Sequence, residues 1–247
     1  MQQDDLRQAL EKLESITRNL RAWGDRMALG RALHQSAGIL LELGEVARAD
    51  TYLTEAASLL AESEDLPALG AVQRAQALSA LRQQRFQDAL THFSKAGETL
   101  ARAGNLDGKA LCLAGAGSVS LEQGDHARAR DFFEQALALF QKTGNPGRQG
   151  QVQLDLGRVH HASKQYELAV QSFMEAAMLL GQEQNPAGHG FALLWGGQSF
   201  LVLGRREEAR ARFAEAAEVL HRAGDVEGEA EARTWLAQVR AQDGETE

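Results

Sequence analysis

Three short stretches of the chain hold the residue types best suited to chemistry, and each lacks the partner its chemistry needs. His160 and His161 could bind zinc, but a helical metal pair sits four residues apart, and adjacent histidines point to different faces. The segment "GNLDGKAL" (104–111) contains the Gly-Lys of a phosphate-cradling loop. Ala103 and Ala110 stand where that loop needs its first glycine and its hydroxyl residue. Cys112 is the only cysteine and has no base partner at motif spacing, so it reads as a small buried residue. The sequence therefore predicts no catalytic residue, no metal site and no cofactor.

With 247 residues, 44% of them hydrophobic, the chain can bury a substantial core. Its 42 alanines, set against three prolines and two tyrosines, point to a protein built almost wholly of helices. A net charge of -8 gives no footprint for nucleic acid or an anionic membrane, since phosphate binding relies on concentrated Lys and Arg. No apolar run reaches the roughly 18 residues needed to span a bilayer. The N-terminal "MQQDDLRQALEKLES" has no apolar signal core, and a lone cysteine forms no intramolecular disulfide. A soluble, cytoplasmic protein is expected, with no membrane insertion.

The elements that must position these residues come from a forty-residue repeat. "GDHARARDFFEQALALFQKTGN" (124–145) aligns without a gap to "GEVARADTYLTEAASLLAESED" (44–65), "QRFQDALTHFSKAGETLARAGN" (84–105), "KQYELAVQSFMEAAMLLGQEQN" (164–185) and "GRREEARARFAEAAEVLHRAGD" (204–225). Ala9, Ala49, Ala89, Ala129, Ala169 and Ala209 share one column; Leu13, Leu53, Phe93, Phe133, Phe173 and Phe213 share another. Leu20, Leu60, Leu100, Phe140, Leu180 and Leu220 form a third. Ala129, Phe133, Ala136 and Phe140 fall at i, i+4, i+7 and i+11, one stripe of an amphipathic helix. Alanines on that stripe admit a neighbouring helix, and the large residues fill the space beside it.

The upstream half of each unit has its own small columns: Gly30, Gly70, Ala110, Gly150, Gly190 and Ala230, then Ala37, Ala77, Gly117, Gly157, Gly197 and Ala237. Glycine inside a helix costs about 1 kcal/mol against alanine, so close helix crossing is the expected compensation. Asp25, Asp65, Asn105, Asn145, Asn185 and Asp225 end the units and are suited to capping the next helix.

Helix pairs with small residues at their crossing resemble the tetratricopeptide repeat family over roughly residues 4 to 241. In the third unit the family's motif positions hold Gly117 in the first helix, then Gly124, Ala129, Phe133 and Ala136 at the turn and in the second. The forty-residue period is longer than the family's common form. It is similar to the long-repeat branch that includes polarity scaffolds and bacterial peptide-sensing regulators. The motif Trp and Tyr of the first helix are missing from most units. The resemblance implies an all-α fold, a right-handed α-solenoid of antiparallel helix pairs. Its expected parts form one domain over 1–241: an orphan second helix (4–22), repeats 26–65, 66–105, 106–145, 146–185 and 186–225, and a capping helix 226–241. A disordered tail, 242–247, follows.

Columns that stay constant serve stacking, and columns that vary are free to carry function. The family lines its concave surface with first helices, so the resemblance places a partner-binding groove on their i, i+3, i+4, i+7 stripe. The candidates are Arg31, His34, Arg74, Leu78, Asp155, Arg158, Phe191, Trp195, Gln198 and Trp235, with Leu154 and Leu194 on the same stripe. Trp195 and Trp235 either face the groove or pack between helices. His160 shares a column with Leu40, Ala80 and Phe200 and reads as a packed histidine. His34, Gly38, Arg74 and Leu78 stand where the family's chaperone receptors carry a carboxylate clamp. Ser118, Arg158 and Gln198 stand where its polarity scaffolds carry an Asn ladder, so neither ligand class is expected.

The expected function is a non-catalytic scaffold that binds a peptide or helix of another protein. The alternatives are a self-assembling structural unit or a peptide-sensing regulatory domain. Charged ends, "QQDDLRQ" and "VEGEAEAR", read as solvated caps, so a monomer is expected, with association of copies through the terminal helices as the alternative.

Overall fold

The computed structural model describes residues 2–242 of the chain. Among the described residues every element is a helix: α1 (Gln2–Trp23), α2 (Arg26–Glu42), α3 (Val46–Glu62), α4 (Leu66–Arg82), α5 (Phe86–Arg102), α6 (Leu106–Glu122), α7 (His126–Thr143), α8 (Pro146–Ala162), α9 (Tyr166–Gln182), α10 (Pro186–Val202), α11 (Arg206–Ala223) and α12 (Val226–Gln242). The all-α class agrees with the sequence. Of the expected tail, Gln242 ends α12, and 243–247 lie outside the described residues. No helix among the described residues is long and apolar enough to cross a membrane.

Helix starts follow the predicted caps. Asp25, Asp65, Asn105, Asn145, Asn185 and Asp225 each accept a hydrogen bond from the backbone N–H three residues on, at 2.7 to 3.2 Å. Asp125 does the same for α7 through the Arg128 N–H, a cap the sequence reading missed. Helix ends follow a finer rule than the forty-residue period. A left-handed residue recurs every twenty positions: Gly24, Gly44, Glu64, Gln84, Gly104, Gly124, Gly144, Lys164, Gln184, Gly204 and Gly224. At eight of these turns the N–H one residue later reaches back over the turn, as Asn105 does to the Leu100 carbonyl at 2.9 Å, satisfying an otherwise orphaned group.

The helices group into two compact units, α1–α6 and α7–α12, divided after Gln123. Within each unit a helix touches its sequence neighbours, and the even-numbered first helices also touch the next first helix, α2 to α4 to α6 and α8 to α10 to α12. The constant columns form the core. Ala49, Ala89, Ala129, Ala169 and Ala209 are fully buried, and so are Leu53, Phe133, Phe173 and Phe213.

Small residues sit where large ones land. A Cβ on Gly30 would stand 2.8 Å from Leu60 Cγ, and one on Gly150 would stand 2.8 Å from Leu180 Cγ. Seven residues further along, Gly157 and Gly197 lie under the rings of Phe173 and Phe213, at 2.5 and 2.6 Å on the same measure. Close crossing therefore compensates the glycines, as the sequence predicted. The last copies of the small columns differ, since Ala230 and Ala237 on α12 are exposed.

Candidate partner-binding faces

In the first unit the candidate face is built by α2 and α4. Arg31 is spoken for: its guanidinium bonds Asp65 at 2.6 and 2.8 Å, and Asp65 itself caps α4. His34 on α2 is half-buried, and burial, with the Arg74 charge second, holds its imidazole below the ordinary value. Arg74 is half-buried and makes no hydrogen bond or ion pair among the described residues. Beside it Leu78 exposes 37% of its surface. The face thus offers an uncompensated cation next to an apolar side chain.

Arg74 also faces Cys112 on α6. That thiol is 2% exposed, and burial pushes it up to about 11 despite the arginine, so it is an inert core residue.

In the second unit the face is aromatic. Trp195 on α10 stacks on Phe173 at 6.3 Å, and Trp235 on α12 stacks on Phe213 at 5.9 Å. Each tryptophan is half-buried, with a ring face fixed against the preceding helix and the remainder at the surface. The two sequence readings of these residues, packed and outward, both describe part of the side chain. The same column holds Gly115 in the first unit, under the ring of Phe93.

Asp155 precedes Trp195 in that column, with its side chain 16% exposed. Burial raises its carboxyl above the ordinary range, although Arg158 donates to it at 3.3 Å. Phe191 is half-buried against the core, and Gln198 donates to Glu231 at 3.4 Å.

Leu154 and Leu194 leave the predicted stripe. They are 8% and 1% exposed, because on α8 and α10 the i+3 position turns into the crossing between helices. His160 is half-buried and pairs with Gln165 at 3.0 Å, while His161 meets Ser199 at 2.8 Å and lies edge-on to Trp195. The two rings have separate partners: His160 bonds the residue that precedes α9, and His161 lies between Tyr166 at the start of α9, 5.2 Å away, and α10. Among the described residues no group of three or more His, Cys, Asp or Glu could hold a metal ion.

One polar cluster was missed. Asp50 accepts from Ser79 Oγ at 2.5 Å, from Gln83 at 3.0 Å and from Arg85 at 3.3 Å, joining α3 to α4 and to the turn that follows. Every partner is satisfied, which suits a clasp between helices.

Residues 109–178 match the family model described as tetratricopeptide repeat. That segment of the chain matches tetratricopeptide repeats. Solved structures extend that likeness beyond the matched segment. The signal transduction ATPase with numerous domains (STAND) protein with a tetratricopeptide repeat sensor from Pyrococcus horikoshii superposes with a TM-score of 0.87 at 18% identity. The match covers 98% of this chain and 38% of that one, so this chain spans well under half the length of that protein.

BtubC from P. vanneervenii gives a TM-score of 0.76 at 17% identity over 90% of this chain and 91% of its own. A Rap protein complexed with competence and sporulation factor gives 0.67 at 15% identity, over 99% of this chain and 72% of its own. At such identities the likeness is one of fold, the α-solenoid of tetratricopeptide repeats. The curated proteins give no match.

Proposed function

We propose that this tetratricopeptide chain is a non-catalytic interaction module that binds a peptide or helix of another protein on the first-helix faces of its units. The observation that carries the reading is the state of Trp195 and Trp235. Each is already immobilised by stacking on a phenylalanine yet keeps part of its ring at the surface. An aromatic anchor held this way loses little freedom on binding. Asp155 and Arg158 beside Trp195, and unpaired Arg74 in the first unit, supply charged groups for orientation.

A second reading makes the ligand a short free peptide and the chain a regulatory sensor. It is supported by the likeness to a Rap protein complexed with competence and sporulation factor and to a protein with a tetratricopeptide repeat sensor.

Partners recovered from lysate are to be titrated calorimetrically against the wild type, Arg74→Glu and the double variant Trp195→Ala with Arg158→Glu. A loss of about tenfold or more in affinity by a folded variant supports the reading. Undiminished binding by both variants removes these faces from consideration. A ligand that is a short peptide rather than a protein segment selects the sensor reading.

A further inference from the structure

We propose that the second unit's first-helix face receives a lysine or arginine of the partner segment, its cation on the Asp155 carboxylate and its aliphatic stem along the exposed part of Trp195. The proposal rests on the reading of these faces as peptide-binding and adds the chemistry of the residue they select.

Asp155 and Trp195 occupy one column a repeat apart, on α8 and α10, first helices that touch each other. Packed helices lie roughly 8 to 10 Å apart axis to axis, so the two residues stand side by side on one surface. Trp195 is held there. Its ring stacks on Phe173 and meets the edge of His161, which in turn bonds Ser199.

Asp155 is the odd member of its column. The other copies are Gln35, Ala75, Gly115, Trp195 and Trp235, none of them charged. With 16% of its side chain exposed, Asp155 has given up most of its water, and little replaces it. Arg158 lies 3.3 Å from Oδ1 on the same helix, with 48% of its own side chain in solvent. An i, i+3 pair of this kind contributes little. Burial outweighs Arg158 and, behind it, Gln151, and so raises the carboxyl. No other ion pair reaches Asp155 among the described residues.

Other shielded aspartates of the chain are better served. Asp50 collects donors from Ser79, Gln83 and Arg85, and Asp65 takes the Arg31 guanidinium besides the Ala68 N–H. Asp155 is left short of donors, beside an indole fixed in place.

A cation from outside completes the arrangement. A lysine or arginine brings the missing donors to the carboxylate, lays its methylenes on the indole and sets its charge near the ring. A neutral or acidic residue gains none of these. Phe191, one turn before Trp195, adds apolar surface, so the selected cation is expected next to an apolar residue.

Selection of displayed random dodecapeptides on the full chain tests this, followed by titration of the recovered peptides against the wild type, Trp195→Ala and Asp155→Asn. Peptides weakened about tenfold or more by Trp195→Ala sit on this face. Each of these is expected to carry a lysine or arginine whose replacement by glutamine costs about tenfold. Asp155→Asn should cost the same factor, and the two changes together no more than either alone. Thermal melts should show Asp155→Asn at least as stable as the wild type, since the substitution removes a poorly paired buried charge. Trp195-dependent peptides without a basic residue, additive losses, or a destabilised Asp155→Asn variant overturn this assignment and leave the peptide-binding face standing. Peptides indifferent to Trp195, or a selection that yields none, overturn both.

Discussion

Gly70 lies directly under Leu100: a Cβ carbon on this glycine would stand 2.5 Å from Leu100 Cγ, closer than side chains tolerate. Gly70→Ala should therefore force α4 and α5 apart or displace the leucine, destabilising the protein by roughly 1 to 3 kcal/mol. Gly38, within α2, has nothing within 4 Å of its missing Cβ, so Gly38→Ala should instead stabilise by about 0.5 to 1 kcal/mol. Urea melts of the two variants should move in opposite directions.

The left-handed turn position gives a second contrast. Gln84 and Lys164 hold φ of 58° and 60°, where an L side chain is strained by about 1 kcal/mol or more. Gln84→Gly and Lys164→Gly should each raise the melting midpoint, and Gly124→Gln, at φ 75°, should lower it. Equal midpoints for all three would show that the turns relax at no cost.

Ala129 is fully buried in α7, whereas Ser118 in a variable column of α6 is half-buried. Ala129→Leu should cost roughly 1 to 3 kcal/mol by overpacking, and Ser118→Leu should stay within about 0.5 kcal/mol. Because repeat proteins sum local and nearest-neighbour terms, the Ala129 variant should also unfold less cooperatively, visible as early hydrogen exchange in α7 and α8. Matching behaviour of the two variants would mean that the packing face is wrongly assigned.

His34 should titrate below the ordinary imidazole value of 6.5, and Arg74→Gln should move it upward without bringing it fully back, since burial is the larger cause. Proton NMR of the ring reads both. The sign for stability follows: a histidine with a depressed folded value contributes fully above pH 6.5, and its contribution is lost as pH falls through the lower folded value. Arg74→Gln should therefore lessen the loss of stability on acidification.

What the sequence disclosed and what it hid divide by range. The six Asp and Asn caps were legible because a cap needs only its own side chain and an N–H three residues away. The glycine columns were legible because the repeat states the same crossing several times. Trp195 could not be placed, since its setting depends on Phe173 on another helix. Leu194 falls on the stripe by its spacing yet is buried, because which edge of a helix meets its neighbour depends on the crossing and not on the helix's own residues. The link from Ser79 to Asp50 has no sequence signature, as the partners lie far apart and occur in one unit only. The twenty-residue turn was obscured where Glu64, Gln84, Lys164 and Gln184 replace glycine.

That turn has a mechanical consequence. Within either unit, contacts reach no further than the next helix but one. A force applied along either unit therefore meets no strut bridging distant segments among its described residues, and each helix pair resists through its own neighbours alone. Under tension such a unit yields link by link, each forty-residue pair unravelling into at most roughly 140 Å of extended chain, and rewinds in the same increments. Each unit is in this sense a spring.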